Sequence, residues 1–319
     1  MAVNKVIVVY PKIAEEYREK IETLAARNGR EAVFCQSNGE AQAYLPEAEI
    51  VYGMGPDLLG FPGMKWFHSS SSGVNLYLKP GLIPEGCRIT NAAGSYGVSI
   101  AEYIFMTVLM LFRRMPEFTR EMEQHTWDHE KEMKSLWGSR VLVLGTGDIG
   151  TEFAKRARAF GTKEIVGINR SGHSAEYFDR TGSLSELEAF LPETDLVVMC
   201  LPETGETRMA MSAERLALLP AHACIVNVGR GTSIDQTALV EALNAGRLAG
   251  AALDVMAVEP IPEGDPLWTA KNVILTPHCA GNDTLEVTRQ KNVSMFCENL
   301  ERYFAGEELK YLVDLEGGY

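Results

Sequence analysis

The chain has 319 residues, of which 46% are hydrophobic and 23% charged, with a formal net charge of −13 at pH 7. That length accommodates two domains of ordinary size, each with its own core, and the composition excludes extensive disorder. The acidic balance argues against a general nucleic-acid or anionic-membrane partner, because neither polyanion is drawn to a net negative surface.

At the N-terminus Met-Ala-Val-Asn-Lys runs directly into the strand-like Val6–Tyr10, which leaves no room for a signal peptide and makes the cytoplasm the expected location. A polar–apolar helix from Ile13 to Ala26 follows, then strand-like runs at Ala32–Cys35, Glu49–Tyr52, Lys65–His68 and Arg88–Thr90, which together read as a small α/β unit. One long helix is predicted from Ile100 to Glu123. Its apolar run Tyr103–Phe112, bounded by Glu102 and Arg113-Arg114, is too short to span a bilayer and reads as buried. From residue 140 onward, strand-like runs alternate with amphipathic segments: Val141–Gly145, Glu164–Asn169, Asp195–Leu201, Ala223–Val228, Gly250–Val255 and Asn272–Thr276. This alternation predicts a doubly wound parallel sheet. Ser212 opens a helix over Ala213–Leu219, and Asp235 opens another over Gln236–Asn244 with Gly246 just beyond it. A last helix, Asn282–Phe304, is expected to lead back to the small unit, so residues 1–99 with 285–319 form one domain and 100–284 the other. Two chain crossings of this kind predict a hinge and a cleft able to exclude water. The six cysteines, at 35, 87, 200, 224, 279 and 297, form no CxxC pair and read as reduced thiols, and no metal site is expected.

The chemistry starts at Gly145-Thr146-Gly147-Asp148-Ile149-Gly150, which closes the Val141–Leu144 run and precedes a helix expected from Thr151 to Phe160. A strand, a tight glycine turn and a helix start form the place where a dinucleotide's pyrophosphate sits. The first glycine permits the turn, the second lets the backbone approach the phosphates, and the third allows close helix–strand packing. Asn169 lies 19 residues beyond Gly150, where an NAD site usually carries a carboxylate for the ribose hydroxyls. Asn169-Arg170-Ser171 instead offers an amide, a guanidinium and a hydroxyl, a set suited to a phosphate dianion. NADP(H) is therefore the expected cofactor, with NAD(H) as the alternative if Arg170 is only a solvated loop residue.

Three further segments stand at or beyond strand ends on the same side: Asn227-Val228-Gly229-Arg230-Gly231, Asp254 through Glu259-Pro260, and Thr276-Pro277-His278-Cys279-Ala280-Gly281. An Arg, a Glu and a His thus come from three consecutive strands. With the Ser72-Gly73-Val74 loop, the Asn91, Gly94 and Ala101-Glu102 stretch, the glycine turn and Leu201-Pro202 through Thr207, these segments give the chain a resemblance to the D-isomer-specific 2-hydroxyacid dehydrogenases over nearly its whole length. The Arg and Ser after the second strand make it most similar to the NADP-preferring glyoxylate and hydroxypyruvate reductases.

The resemblance implies a Rossmann nucleotide-binding domain beside a smaller, flavodoxin-like substrate domain, and hydride transfer to a 2-oxo acid to give the D-2-hydroxy acid. It implies that Arg230 binds the substrate carboxylate and polarises the ketone, a task its planar fork suits. His278 protonates the developing alkoxide, and Glu259 fixes and charges the imidazole, so that reduction fades at alkaline pH. The amides of Ser72, Gly73 and Val74 complete the carboxylate cradle on domain closure. Asp254 faces the nicotinamide carboxamide. Leu201, Pro202, Thr207, Val228, Gly229 and Gly281 complete the cofactor's surroundings, and family members usually pair as homodimers through the nucleotide domain.

The run Ser69-Ser70-Ser71-Ser72 beside His68 departs from the small or apolar residues more usual in the family, and Tyr52, Met54 and Tyr96 are candidate pocket residues or ordinary packing. The rival class of function is a dinucleotide-sensing, corepressor-like binding protein with little turnover. The same fold acting on formate or phosphite is a third reading, which no segment favours.

Overall fold

A computed structural model describes residues 4–10, 12–77 and 79–315. The chain divides into two compact units, Met1–Tyr96 with Asp283–Tyr319, and Gly97–Asn282. The smaller unit carries strands β1 (Lys5–Val8), β2 (Glu31–Phe34), β3 (Ala48–Gly53), β4 (Trp66–Ser69) and β5 (Arg88–Thr90), with helices α1 (Glu15–Arg27) and the short α2 (Asn38–Ala41). All neighbours are parallel in the order β2-β1-β3-β4-β5. The C-terminal helix, Glu286–Ala305, covers one face. Its Phe296 stacks on Tyr52 with ring centroids 4.4 Å apart and on Trp66 at 5.3 Å, while Tyr10 stacks on Tyr52 at 5.1 Å.

The larger unit is built on β6 (Arg140–Leu144), β7 (Glu164–Ile168), β8 (Arg180–Gly182), β9 (Leu196–Met199), β10 (Cys224–Asn227), β11 (Gly250–Leu253) and β12 (Val273–Leu275). Its helices are α3 (Gly97–Phe112), α4 (Met115–Glu123), α5 (Asp148–Ala157), α6 (Ala213–Ala217) and α7 (Gln236–Asn244). The order β12-β11-β10-β9-β6-β7-β8 is that of a doubly wound Rossmann-type sheet, reversing direction between β6 and β9. Every residue of β9, β10 and β11 is buried, as is β6 after Arg140, which is why these strands read as continuous apolar runs. The polar exception, Asn227, sits at the exit of β10.

Three expectations need correction. The single helix from Ile100 to Glu123 is two, because Pro116 lacks an amide proton and its ring would meet the carbonyl of Phe112. The chain turns through Arg114 at φ 57° and restarts with the proline in the first turn of α4. The three-residue edge strand β8 was not foreseen, since Arg-Thr-Gly carries no apolar alternation. The C-terminal helix begins at Glu286 rather than Asn282. Apart from the exposed Met106, the run Tyr103–Phe112 is largely buried inside its own unit, where Phe105 stacks on Phe153 and Phe160 at 4.9 Å each. No helix among the described residues is long and apolar enough to cross a membrane.

His68 on β4 is completely buried. Its Nδ1 lies 2.7 Å from Thr90 Oγ1, and its Nε2 has no partner among the described residues. Burial alone lowers its pKa to about 3, so the folded ring stays neutral where the unfolded chain takes up a proton. Stability is therefore lost as pH falls from the unfolded value of about 6.5 toward 3. Urea denaturation is expected to show the wild-type chain losing about 2 kcal/mol more than His68→Leu between about pH 6.5 and 5.

Candidate functional site

At the exit of β6 the backbone of Gly145 takes φ 105°, and a Cβ there would stand 2.9 Å from the Cys200 carbonyl oxygen beyond β9. A Cβ on Gly150 would lie 2.0 Å from the Gly145 carbonyl oxygen, so helix and turn touch backbone to backbone. Gly147 differs: it caps α5, and a Cβ on it would meet nothing within 4 Å. The Thr151 amide donates to the Gly147 carbonyl at 2.9 Å, which leaves the amides before it in the open first turn of the helix. The Asp148 carboxylate is turned away to accept the Gly97 amide at 2.7 Å, tying the start of α3 to α5. Ile149 lies in the same turn, half-buried.

Past β7, Asn169 donates to Thr146 Oγ1 at 3.2 Å and to the His173 carbonyl at 2.9 Å, while its Oδ1 is buried with no partner among the described residues. An orphan acceptor beside an open helix start fits a dinucleotide's ribose hydroxyl. Arg170 is 69% exposed, 3.9 Å from Glu206 Oε2, and Ser171 Oγ lies 2.9 Å from His173 Nδ1. The Leu201–Thr207 loop is pinned by Thr207, whose hydroxyl donates to the Pro202 carbonyl at 2.6 Å and accepts the Thr204 amide at 2.9 Å.

The loops after β9, β10 and β11 touch through glycines. A Cβ on Gly229 would be 2.6 Å from the Leu201 oxygen, and one on Gly231 would be 1.9 Å from the Met256 carbonyl carbon. Between them, Asn227 accepts the Gly229 amide at 3.0 Å and donates to the Arg230 carbonyl at 3.0 Å, with Val228 buried alongside. The Arg230 guanidinium donates to the Gly229 carbonyl at 2.7 Å. Burial pulls its pKa down, and the carboxylates of Glu203 and Glu259 push it back up, so Arg230 and Glu259 share one electrostatic neighbourhood.

Asp254, 2% exposed, shapes the next loop. Its Oδ1 accepts the Thr276 hydroxyl at 2.6 Å and the Cys279 amide at 2.8 Å, and its Oδ2 accepts the Ala280 amide at 2.9 Å. Its own carbonyl accepts the His278 amide at 2.9 Å. The Tyr103 hydroxyl lies 2.6 Å from Thr276 Oγ1, and with the Thr276 proton committed to Asp254 the tyrosine is the donor. So held, His278 places Nδ1 2.8 Å from Glu259 Oε2, while Glu259 Oε1 accepts the Met256 amide at 2.8 Å. His278 Nε2 has no partner among the described residues, and Gly281 closes the loop half-exposed. Sequence reasoning passed over Tyr103, Thr276 and Glu203. The last two stand in segments already singled out, whereas Tyr103 on α3 gave no signal. No group of His, Cys, Asp or Glu among the described residues could hold a metal ion.

In the smaller unit the amides of Ser72 and Val74 have no acceptor among the described residues, whereas the Gly73 amide donates to Ser71 Oγ at 3.2 Å. Of the candidate pocket residues, Met54 is exposed, but Tyr52 is buried with its hydroxyl on Asn292 and Tyr96 donates to the Ser70 carbonyl.

Comparison with known proteins shows which family the chain resembles. Residues 105–280 match the family model described as D-isomer specific 2-hydroxyacid dehydrogenase, NAD binding domain. A glyoxylate reductase of Korarchaeum cryptofilum is 34% identical over 240 residues, covering 72% of this chain and 70% of that one. Among solved structures, a D-isomer specific 2-hydroxyacid dehydrogenase from Xanthobacter autotrophicus, in complex with NADPH and MES, superposes with a TM-score of 0.81 at 28% identity over 100% of both chains. An NADPH-dependent glyoxylate/hydroxypyruvate reductase from Sinorhizobium meliloti, in complex with NADP and sulfate, gives 0.81 at 26% identity, covering 99% of this chain and 100% of that one. With the family model spanning more than half of its residues, the chain belongs to the D-isomer-specific 2-hydroxyacid dehydrogenases.

Proposed function

We propose that this chain reduces a small 2-oxo acid, of the glyoxylate or hydroxypyruvate kind, to its D-2-hydroxy acid with NADPH. The observation that carries the reading is the His278–Glu259 pair at 2.8 Å, on a loop clamped by Asp254 and in the electrostatic reach of Arg230. A nicotinamide dinucleotide, when bound, supplies the hydride for the ketone carbon. Arg230 holds the substrate carboxylate and draws electron density from the ketone oxygen. His278 gives that oxygen a proton from Nε2, and Glu259 keeps the ring oriented through Nδ1 and stabilises its charge. Gly145–Gly150 holds the pyrophosphate. Asn169, Arg170 and Ser171 take the adenosine ribose and its 2′-phosphate, with Leu201, Pro202, Thr207, Val228, Gly229, Asp254 and Gly281 around the rest of the cofactor. The Ser72–Val74 loop is the small unit's contribution to carboxylate binding.

In this reading residues 97–282 form the dinucleotide-binding domain and the remainder the substrate domain, whose strand order supports a flavodoxin-like assignment. The protein acts as a homodimer. Met122, Trp127 at 93% exposure and Trp137 at 76% supply an apolar surface that a second copy would cover. Six free thiols fit a reducing, cytoplasmic setting.

The decisive assay follows absorbance of NADPH with glyoxylate or hydroxypyruvate as acceptor. His278→Gln is expected to lower kcat by about 100-fold or more while NADPH binding, read by fluorescence titration, is retained. Turnover by the variant at the wild-type rate would remove the proton-donor role. Arg170→Ala is expected to raise KM for NADPH by about tenfold and to leave KM for NADH within about twofold, and equal losses would remove the phosphate argument. Because a Cβ on Gly147 meets no protein atom, Gly147→Ala is expected to keep its thermal midpoint within about 2 °C of wild type while dinucleotide affinity falls about tenfold. Unaltered affinity would count against pyrophosphate binding at this turn.

A further inference from the structure

The loop that begins at Ser70 leaves the small unit's sheet by an unusually well-held route. The Ser70 amide still belongs to the sheet, donating to the Gly53 carbonyl at 3.0 Å. Its carbonyl does not, and it accepts two side chains instead: the Tyr96 hydroxyl at 2.6 Å and Asn292 Nδ2 at 2.6 Å. Ser70 is 2% exposed and Asn292 0%, so both bonds lie out of water. The orientation of the Asn292 amide is set by its other end, where Oδ1 accepts the Tyr52 hydroxyl at 3.0 Å. The Tyr96 hydroxyl also reaches Asp283 Oδ1 at 3.2 Å, so its proton is shared between the Ser70 carbonyl, the nearer oxygen, and that carboxylate.

Beyond that point the next two peptide planes, 71–72 and 72–73, are tied, and the Val74 amide follows from them. The Ser71 amide donates to Ser69 Oγ at 3.1 Å, the Ser71 carbonyl accepts the Ala92 amide at 3.2 Å, and the Ser72 carbonyl accepts Asn91 Nδ2 at 3.0 Å. In a trans peptide the carbonyl and the following amide point in opposite directions, so holding the Ser71 carbonyl aims the Ser72 amide the other way. The plane at Ser70 is the origin from which this series is laid down. It is held by side chains drawn from the end of the first pass through the unit and from the C-terminal helix.

We propose that Tyr96 and Asn292 are positioning residues for substrate binding, acting through the Ser70 carbonyl to hold the Ser72 and Val74 amides where a carboxylate meets them. This rests on the functional reading above. Neither side chain touches substrate in this account. Their loss tilts a donor pair whose value depends on aim, weakening the hold on the carboxylate without touching the proton donor or the dinucleotide turn.

The test compares full-length wild type, Tyr96→Phe and Asn292→Ala by steady-state kinetics and by hydrogen exchange of the peptide spanning residues 70–74. Each variant is expected to raise KM for glyoxylate by about tenfold, with kcat within about threefold and KM for NADPH within about twofold, and to speed exchange at 70–74. Tyr96→Phe removes one hydroxyl from a side chain that otherwise stays in place, so it carries the test if Asn292→Ala does not fold. A lowered melting temperature with KM for glyoxylate unmoved, or exchange at 70–74 unchanged, overturns the proposal. If the wild type reduces no 2-oxo acid, the functional reading fails by itself, and the exchange comparison still decides whether the two side chains hold the loop.

Discussion

A single buried carboxylate organises the strand-end loops of the larger unit. Asp254 collects a hydroxyl and two amides from the loop after β12, and its carbonyl takes the amide of His278. A carboxylate so deeply placed is tolerated only because its charge is met by donors, and each charge-assisted bond is about twice as strong as a neutral one. The loop cannot rearrange without stranding that charge, so the imidazole inherits its position from a residue that need not meet the substrate. Tyr103 extends the same control to α3 through Thr276.

Absence of side chains does comparable work. Gly145, Gly229 and Gly231 each let one strand-end loop rest directly on the backbone of the next, at Cys200, Leu201 and Met256. The loops bearing Arg230 and Glu259 thereby sit at a separation set by van der Waals contact between main chains, which is stiffer than any contact through rotatable side chains. A methyl group at Gly231 would need space already filled by the Met256 peptide. These loops are thus laid out on main chain, with Arg230 and Glu259 projecting from a nearly rigid floor.

Much of this was legible in the sequence because the physics is local. A glycine turn between an apolar run and an amphipathic one, and buried parallel strands as uninterrupted apolar runs, are written in consecutive residues. The break at Pro116 was legible too and went unread. The edge strand Arg180–Gly182 was not, since its pairing with β7 depends on tertiary contact rather than on pattern. A role for Asp254 entered through the resemblance alone, and no sequence pattern shows that its carboxylate accepts Thr276, Cys279 and Ala280. The pairing of Asn292 with Ser70 spans 222 residues, and no spacing rule reaches that far.

The backbone of His278 sits at φ 53°, a left-handed conformation that costs a side-chain-bearing residue about 1 kcal/mol or more. Glycine would occupy the same place with less conflict. The polypeptide therefore keeps an imidazole there at thermodynamic expense, and exchanging that one residue for glycine would make the loop sturdier while removing the ring that faces Glu259.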